Sequence, residues 1–476
     1  MLNDNLRSKN ISKSADKLDL LLINPSLDWQ YQMERKTAIR IEKHLPSQET
    51  PHIGIAYLLA VAKKDGCRAK YIDMVMDGFS VEQLLQYVRK TKPSLIGITA
   101  FSIQISAAGT IAAKIKQQMP EALICVGGSH ASAIPEQTLE EFQDFDFAVC
   151  GEAEILLPKI FDCLGNYDAL SRLSGVVTRD KKDHSWVPIQ NIDDILLPAW
   201  EEFDLTKYPG NCPHNTRQEL PVVTGRGCPF RCVFCCRALG DKVRRRSVES
   251  VISEIERNIE EFGCESIAFL DETFVLSKDW AEQFFSQSID RGLNKKINWS
   301  CSMRVSNVSP ELFQRMKKAG CYYIFFGVES ASDATLKRIK KGITLSQIYD
   351  AVKWTKQAGI TPVGAFIIGL PGDSEADVLK SVELAKELDM YSNTFPIAIP
   401  FPGTEMREMA LKNMYGMKIV SNNWDHYGKQ DYRVMESDDL SWEKRRQLQK
   451  YAYSELPKKK LDEYMKRLKE SAFVCS

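Results

Sequence analysis

The sequence predicts an α/β chain. A doubly wound parallel sheet comes first, a partial (β/α)6 barrel second, and a small α-rich region last. Three observations predict this. Short apolar runs alternate with helical stretches twice along the chain, the pattern of parallel sheets with crossover helices. The two alternations are separated by a Pro- and Trp-containing stretch that lacks the pattern. At 476 residues the chain is longer than one hydrophobic core usually serves. Hydrophobic residues at 44% and charged residues at 26% are ordinary for a globular chain.

Residues 1–16 read as an unstructured polar tail. Leu18-Asp-Leu-Leu-Leu-Ile-Asn24 reads as a buried strand that ends in a Pro-Ser turn. Helical periodicity runs from Ile53 to Lys64. Strands near 68–72, 94–99, 123–127 and 146–149 then alternate with helices near 81–91, 106–118, 136–142 and 153–164, which closes a first unit at 17–165. Residues 166–212 read as a linker with a hairpin made by 174–178 and 186–189. The second unit, 213–415, has strands at 221–225, 266–270, 297–302, 322–327, 362–367 and 392–399. Its helices fall near 248–262, 278–291, 310–319, 344–358 and 374–388. The region 416–476 carries Trp424, His426, Tyr427 and Trp442, then a Lys/Arg-rich helix through Lys469. In such sheets and barrels ligands gather at the carboxyl ends of the strands.

Formal net charge is zero, so no global basic field draws the chain to nucleic acid or anionic lipid. No apolar run is long enough to span a membrane, and the polar start lacks a signal-peptide core. A cytoplasmic protein is expected. The 13 cysteines are odd in number and scattered, as expected of buried thiols in a reducing compartment rather than of a disulfide framework.

One cysteine cluster departs from that scatter. Gly225-Arg-Gly-Cys-Pro-Phe-Arg-Cys-Val-Phe-Cys235 places Cys228, Cys232 and Cys235 in a C-x3-C-x2-C run. Three soft thiolates on one loop suit three corners of an iron–sulfur cube and leave the fourth iron open. The alternative is a structural zinc ion, which would want a fourth ligand and usually a second C-x2-C pair. Cys236 adjoins Cys235 and reads as packing. The motif, with Phe234 before the last cysteine, closely resembles the signature of radical S-adenosylmethionine (SAM) enzymes. That resemblance implies a [4Fe-4S] cluster whose open iron binds SAM and, on receiving one electron from a donor such as flavodoxin or ferredoxin, yields a 5′-deoxyadenosyl radical.

Further loops resemble the family in order. Asp271 and Glu272 follow the second strand, where the family holds the SAM amino group; alone they read equally well as a helix cap. Ser302 and Arg304 end the third strand and imply contacts to the SAM carboxylate or ribose. Glu329, in Gly327-Val-Glu-Ser330, is the candidate for orienting that arginine or the ribose. Gly369 lies in Gly364-Ala-Phe-Ile-Ile-Gly-Leu-Pro-Gly372, which resembles the stretch that packs the adenine but alone would be a turn. Phe234 is implied to wall the adenine, with core packing as its alternative.

The first unit has its own loop set at the strand ends. It comprises Asn24-Pro-Ser, Thr99-Ala-Phe-Ser102, Gly127-Gly-Ser-His130 and Gly151-Glu-Ala-Glu154. With Pro51-His-Ile-Gly-Ile-Ala-Tyr-Leu58 these loops resemble the Rossmann-like cobalamin-binding domain found ahead of many radical SAM domains. Asn24, Thr99, Ser102, Gly127, Gly128, His130, Gly151 and Glu152 are therefore candidate cobalamin contacts. The Asp-x-His-x-x-Gly run that ligates cobalt in cobalamin mutases is missing, and His130 and His52 read as polar loop residues near the corrin. The combined resemblance covers about 17–415. It implies methylation of an unactivated carbon, or of phosphorus, in a small-molecule or lipid-like substrate. The same cofactors also serve radical cyclisation or rearrangement, and a corrinoid carrier or sensor with a structural metal is the non-catalytic alternative. Methylthiotransferases that modify tRNA carry three further N-terminal cluster cysteines, which are not found here.

Overall fold

The computed structural model describes residues 17–26, 50–180, 185–208, 210, 218–428, 431–456, 459 and 463. The 1–16 tail and most of the basic stretch beyond Leu456 lie outside the described residues.

Strand β1 (Leu20–Asn24) is apolar on both faces because the sheet it joins is covered on both faces. Around it are β2 (Ala69–Asp73), β3 (Leu95–Thr99), β4 (Ile124–Gly127) and β5 (Phe147–Val149), parallel, in the order β2-β1-β3-β4-β5. A sixth strand, β6 (Val176–Val177), pairs antiparallel with β5. The 174–178 stretch thus extends the first sheet into the region read as a linker, and the Gly175 amide also donates to Ser185 O (2.9 Å), beside the expected hairpin partner.

The second sheet holds β7 (Glu219–Val222), β10 (Ser266–Phe269), β11 (Asn298–Met303), β12 (Cys321–Glu329), β13 (Thr361–Phe366) and β14 (Ser392–Thr394). All are parallel and adjacent in chain order, the open (β/α)6 arrangement expected. Between β7 and β10 a short antiparallel ribbon, β8 (Gly225–Arg226) with β9 (Arg244–Arg245), carries the cysteine loop. Among the described residues, each of the eight α-helices after β9, from Val248–Phe262 to Trp442–Glu455, starts on a Ser or Thr whose hydroxyl accepts from an N3 amide. Such caps each contribute about 1 kcal/mol and stop each strand-to-helix loop at a defined residue.

The alternation of side chains along β1 divides the interior. Leu20 and Leu22 join a core that continues unbroken through the helix Ile53–Lys64 into the second sheet and its helices. Leu21 and Ile23 face a second core with the helices Val81–Thr91 and Ile105–Gln118. That second core is completed by Trp424, Tyr427 and Val434 from the C-terminal region. This region has one long helix, Trp442–Glu455, and a short ribbon of β15 (Lys418–Ile419) with β16 (Met435–Glu436).

The two units are pinned by charge. Arg226 of β8 donates to Glu152 (2.7 Å) and Glu154 (2.6 Å) at the end of β5, and Arg244 of β9 donates to Glu152 (2.5 Å). All four side chains are buried, with residue exposures of 6–8%. Truncating one member leaves a buried charge unpaired, which costs about 3–5 kcal/mol. Glu152→Ala is therefore expected to lower the midpoint of chemical denaturation by that order, while Glu201→Ala on the exposed rim of the same junction shifts it by less than about 1 kcal/mol.

Candidate active site

The cysteine loop is shaped before any ligand is considered. Gly227 sits at φ 88°, and a Cβ there would overlap the Lys242 carbonyl, so the residue before Cys228 has to be glycine. The Cys228 amide donates to Gly240 O (3.2 Å), and the Cys235 amide closes a turn on Cys232 O (3.1 Å). Val233, 1% exposed, is the anchor of the loop. Its amide donates to Ile339 O (3.1 Å), and its carbonyl accepts from Met406 N (2.8 Å). Around this buried anchor Cys228 and Cys232 are half-buried and Cys235 is exposed.

The thiols suit a cationic cluster. Burial, and then the charge of neighbouring thiolates, pushes Cys235 up to about 11; burial also raises Cys228. Thiolates gathered this closely need a positive centre to stay ionised. Among the described residues no three His, Cys, Asp or Glu side chains converge as they would around a single metal ion.

Arg304, at the end of β11, reaches this loop. Its guanidinium lies over the Phe230 ring (3.7 Å) and donates through Nη1 to Cys232 Sγ (3.7 Å) and through Nη2 to the Lys341 carbonyl. Its Nε is buried without a hydrogen-bond partner. Glu272 is exposed beside the loop, its carboxyl raised chiefly by desolvation. Ser302 is half-buried, level with Phe325 of β12.

Other predicted residues are engaged elsewhere. Asp271 accepts from the Thr224 amide (3.1 Å) and hydroxyl (2.6 Å) and is buried against Gly225, at the foot of the ribbon that carries the cysteine loop. Glu329 pairs with Lys341 Nζ (2.7 Å) rather than with Arg304. Gly369, at φ 81°, lies against the buried guanidinium of Arg445, where a Cβ would sit 2.6 Å from it. Phe234 packs against the core. Sequence reading missed Lys341, Arg445 and Arg226, since a lone basic residue carries no spacing signal.

At the strand ends of the first sheet, Asn24 is drawn into a buried network. It donates to Asp73 (3.2 Å) and accepts from Gln104 (3.0 Å). Asp73 also accepts from the hydroxyls of Tyr71 (2.9 Å) and Tyr208 (3.3 Å). Glu152 has both oxygens on arginines and also accepts from Ile189 N (2.8 Å). Both side chains brace the protein, and Glu152 also lines the cavity at these strand ends. Gly128 lies so close to Ala100 that a Cβ would sit 2.7 Å from its carbonyl. A Cβ on Gly151 would overlap Trp186. His130 shares a hydrogen bond with Ser102 Oγ (2.9 Å) and has the Trp424 ring edge-on at 4.7 Å. Burial, and then the charge of Arg407, lowers it to about 4, so the ring is neutral at pH 7. His52 caps a helix, accepting from Ile55 N (3.3 Å).

Beneath Thr99, Gly127 and Gly128 lies a cavity of ≈ 260 Å³ between this sheet and the helix Ile53–Lys64. Its lining is mainly apolar (Leu20, Leu22, Leu95, Cys125), and it reaches Arg226 and Leu239 of the second unit. Gly97, Gly127 and Gly128 are among its lining residues, where the backbone itself forms part of the wall.

The family models agree with this geometry. The Radical SAM superfamily model matches residues 222–385, and the B12 binding domain model matches 46–161. An uncharacterized methyltransferase of Pyrococcus horikoshii is 34% identical over 384 residues, covering 79% of this chain and 81% of the relative. The chain belongs to the cobalamin-dependent radical SAM methyltransferase family. The cytidylyl-2-hydroxyethylphosphonate methyltransferase of Streptomyces wedmorensis is 24% identical over 446 residues, 81% of this chain and 80% of the relative. The fold matches that of TsrM, a radical SAM methyltransferase from Kitasatospora setae with cobalamin and a [4Fe-4S] cluster bound. That match has a TM-score of 0.70 at 17% identity and covers 91% of this chain and 90% of that one. As a family member the chain uses a [4Fe-4S] cluster, SAM and cobalamin. Among the described residues no helix is long and apolar enough to cross a membrane.

Burial pushes Asp271 up to about 6 from an ordinary 3.8. The folded state thus holds this proton more tightly than the unfolded state, so stability falls as pH rises from about 4 to about 6 and then levels. Asp271→Asn is expected to flatten part of that decline in thermal midpoints measured from pH 4 to 7. Asp373, also pushed up to about 6, keeps part of the remainder, with Glu272 and Glu254, whose carboxyls burial likewise raises.

Proposed function

We propose that this protein methylates an unactivated carbon, or a phosphorus, of a small-molecule or lipid-like substrate, fed by a one-electron donor such as flavodoxin or ferredoxin. The observation that carries this reading is the buried ion cluster between Arg226 and Glu152/Glu154. Arg226 is two residues from Cys228, and Glu152 ends a strand of the cobalamin domain. The cysteine loop and the cobalamin-domain strand ends therefore face one space.

Bound there, the cofactors supply a carbon-centred radical and a transferable methyl group. The chain's own residues bind and orient. Cys228, Cys232 and Cys235 ligate three irons. Arg304 offers its unpartnered Nε, and Glu272 its exposed carboxylate, to the carboxylate and ammonium of SAM. The half-buried Ser302 offers its hydroxyl to the ribose or carboxylate. The apolar slot under Thr99 and Gly127–Gly128 takes an apolar part of the corrinoid, and the neutral His130, held by Ser102, backs the strand end beside it.

Anaerobically reconstituted protein given dithionite and methyl-labelled SAM is expected to form 5′-deoxyadenosine and S-adenosylhomocysteine together. Mass spectrometry should find both lost in Cys232→Ala, with iron content reduced. 5′-Deoxyadenosine without S-adenosylhomocysteine, in protein with bound and reduced corrinoid, would replace methyl transfer by radical cyclisation. Cys125→Phe, which fills the slot, is expected to abolish corrinoid retention on gel filtration. It should leave iron per chain unchanged, as read by cobalt and iron analysis.

A further inference from the structure

The stretch that follows the last barrel strand makes a second junction with the cobalamin domain. It starts at the cysteine loop, where the Met406 amide donates to the carbonyl of the buried anchor Val233 (2.8 Å). Met406 lies in the first turn of the helix Glu405–Leu411, and the next residue, Arg407, grips the C-terminal region. Its Nη1 donates to Pro400 O (3.2 Å) and to the Tyr427 hydroxyl (2.9 Å), and its guanidinium lies over the rings of Trp424 (5.2 Å) and Tyr427 (5.8 Å). Buried Trp424 donates its Nε1 to Glu141 (2.5 Å) and meets the His130 ring edge-on at 4.7 Å. His130 is bonded to Ser102 (2.9 Å), so the junction reaches the ends of both β3 and β4. Gly403 wedges the same stretch in place. A Cβ there would sit 3.0 Å from Ala133 Cβ in the cobalamin domain and 3.7 Å from Cys236 Sγ beside the cluster cysteines. Among the described residues no carboxylate pairs with Arg407, although it is half-buried. A cation held by two ring faces, a hydroxyl and a carbonyl is satisfied in one placement of those rings. The ion cluster at Arg226 fixes one end of the cysteine ribbon, and this junction fixes the anchor of the loop. One attachment alone would leave a hinge; two set both distance and angle.

We propose that Arg407 is a positioning residue that sets the separation between cobalamin and the iron–sulfur cluster. This rests on the reading that both cofactors serve one substrate atom, which must be reachable from each. Arg407 touches no reacting atom. It acts through Trp424 and Tyr427 on His130 and the strand ends beside it.

The test reads that separation in the anaerobically reconstituted full-length protein. Cob(II)alamin and the reduced cluster are both paramagnetic, so each broadens the EPR signal of the other according to distance. Arg407→Met is expected to change this broadening at unchanged iron and cobalt per chain, and Arg407→Lys to restore most of it. With methyl-labelled SAM, Arg407→Met should also lower the ratio of S-adenosylhomocysteine to 5′-deoxyadenosine roughly tenfold, within the loss that a misplacement of about 1 Å brings. Val434→Ala loosens the same core outside this contact set. It is expected to lower the thermal midpoint and leave the broadening as in the wild type. Unchanged broadening in Arg407→Met overturns the proposal. An equal change in Val434→Ala also overturns it, because the junction would then supply only general stability. If the wild type forms 5′-deoxyadenosine without S-adenosylhomocysteine, the methyl-transfer reading fails, while the EPR comparison still decides the role of Arg407. If Arg407→Met loses cobalt or fails to fold, Tyr427→Phe, which removes one hydroxyl from the arginine's partners, carries the same expected and overturning results.

Discussion

The buried cluster of Arg226, Arg244, Glu152 and Glu154 is the constraint on which the rest of the structure depends. Two carboxylates and two guanidiniums balance in formal charge at a place where neither pair would be tolerated alone. Burying charge seldom adds stability over well-packed apolar residues, but it makes one docking geometry far better than its neighbours. Because Arg226 and Arg244 form the two strands of the ribbon that carries the cysteines, the geometry so selected is that of the cysteine loop against the cobalamin domain. A hydrophobic junction would tolerate a shift along the interface; this one does not.

Within the barrel the same economy of short contacts recurs. Val233 is the only fully buried side chain between Cys228 and Cys236, and the thiols are arrayed around it. The loop is therefore anchored by one apolar residue and a few backbone hydrogen bonds, and its polar atoms remain directed outward. The half-exposed face of β11 and β12, with Ser300, Ser302, Tyr323 and Phe325 in register, lies below it.

Much of this was legible in the sequence. The alternation of short apolar runs with helical stretches marks the parallel sheets, and the cysteine spacing marks the loop. Side-chain partnerships were less legible. Asn24, Asp271 and Glu152 sit at strand ends, where ligand contacts are expected, yet each is taken by a residue distant in the chain: Gln104, Thr224 and Arg226. Glu329 finds Lys341 instead of Arg304 for a similar reason. Sequence position locates a residue on the functional end of a sheet, but which neighbour claims its hydrogen bonds depends on long-range packing.

The placement of Trp424, Tyr427 and Val434 in the core of the first sheet has a consequence for biosynthesis. On the ribosome the N-terminal domain emerges whole long before these residues are made. Until the chain is synthesised past residue 434, the sheet face carrying Leu21 and Ile23 with its helices lacks part of its apolar cover. The nascent domain must wait with that surface exposed, a state prone to association. Its fold is sealed only when the end of the chain returns to its beginning.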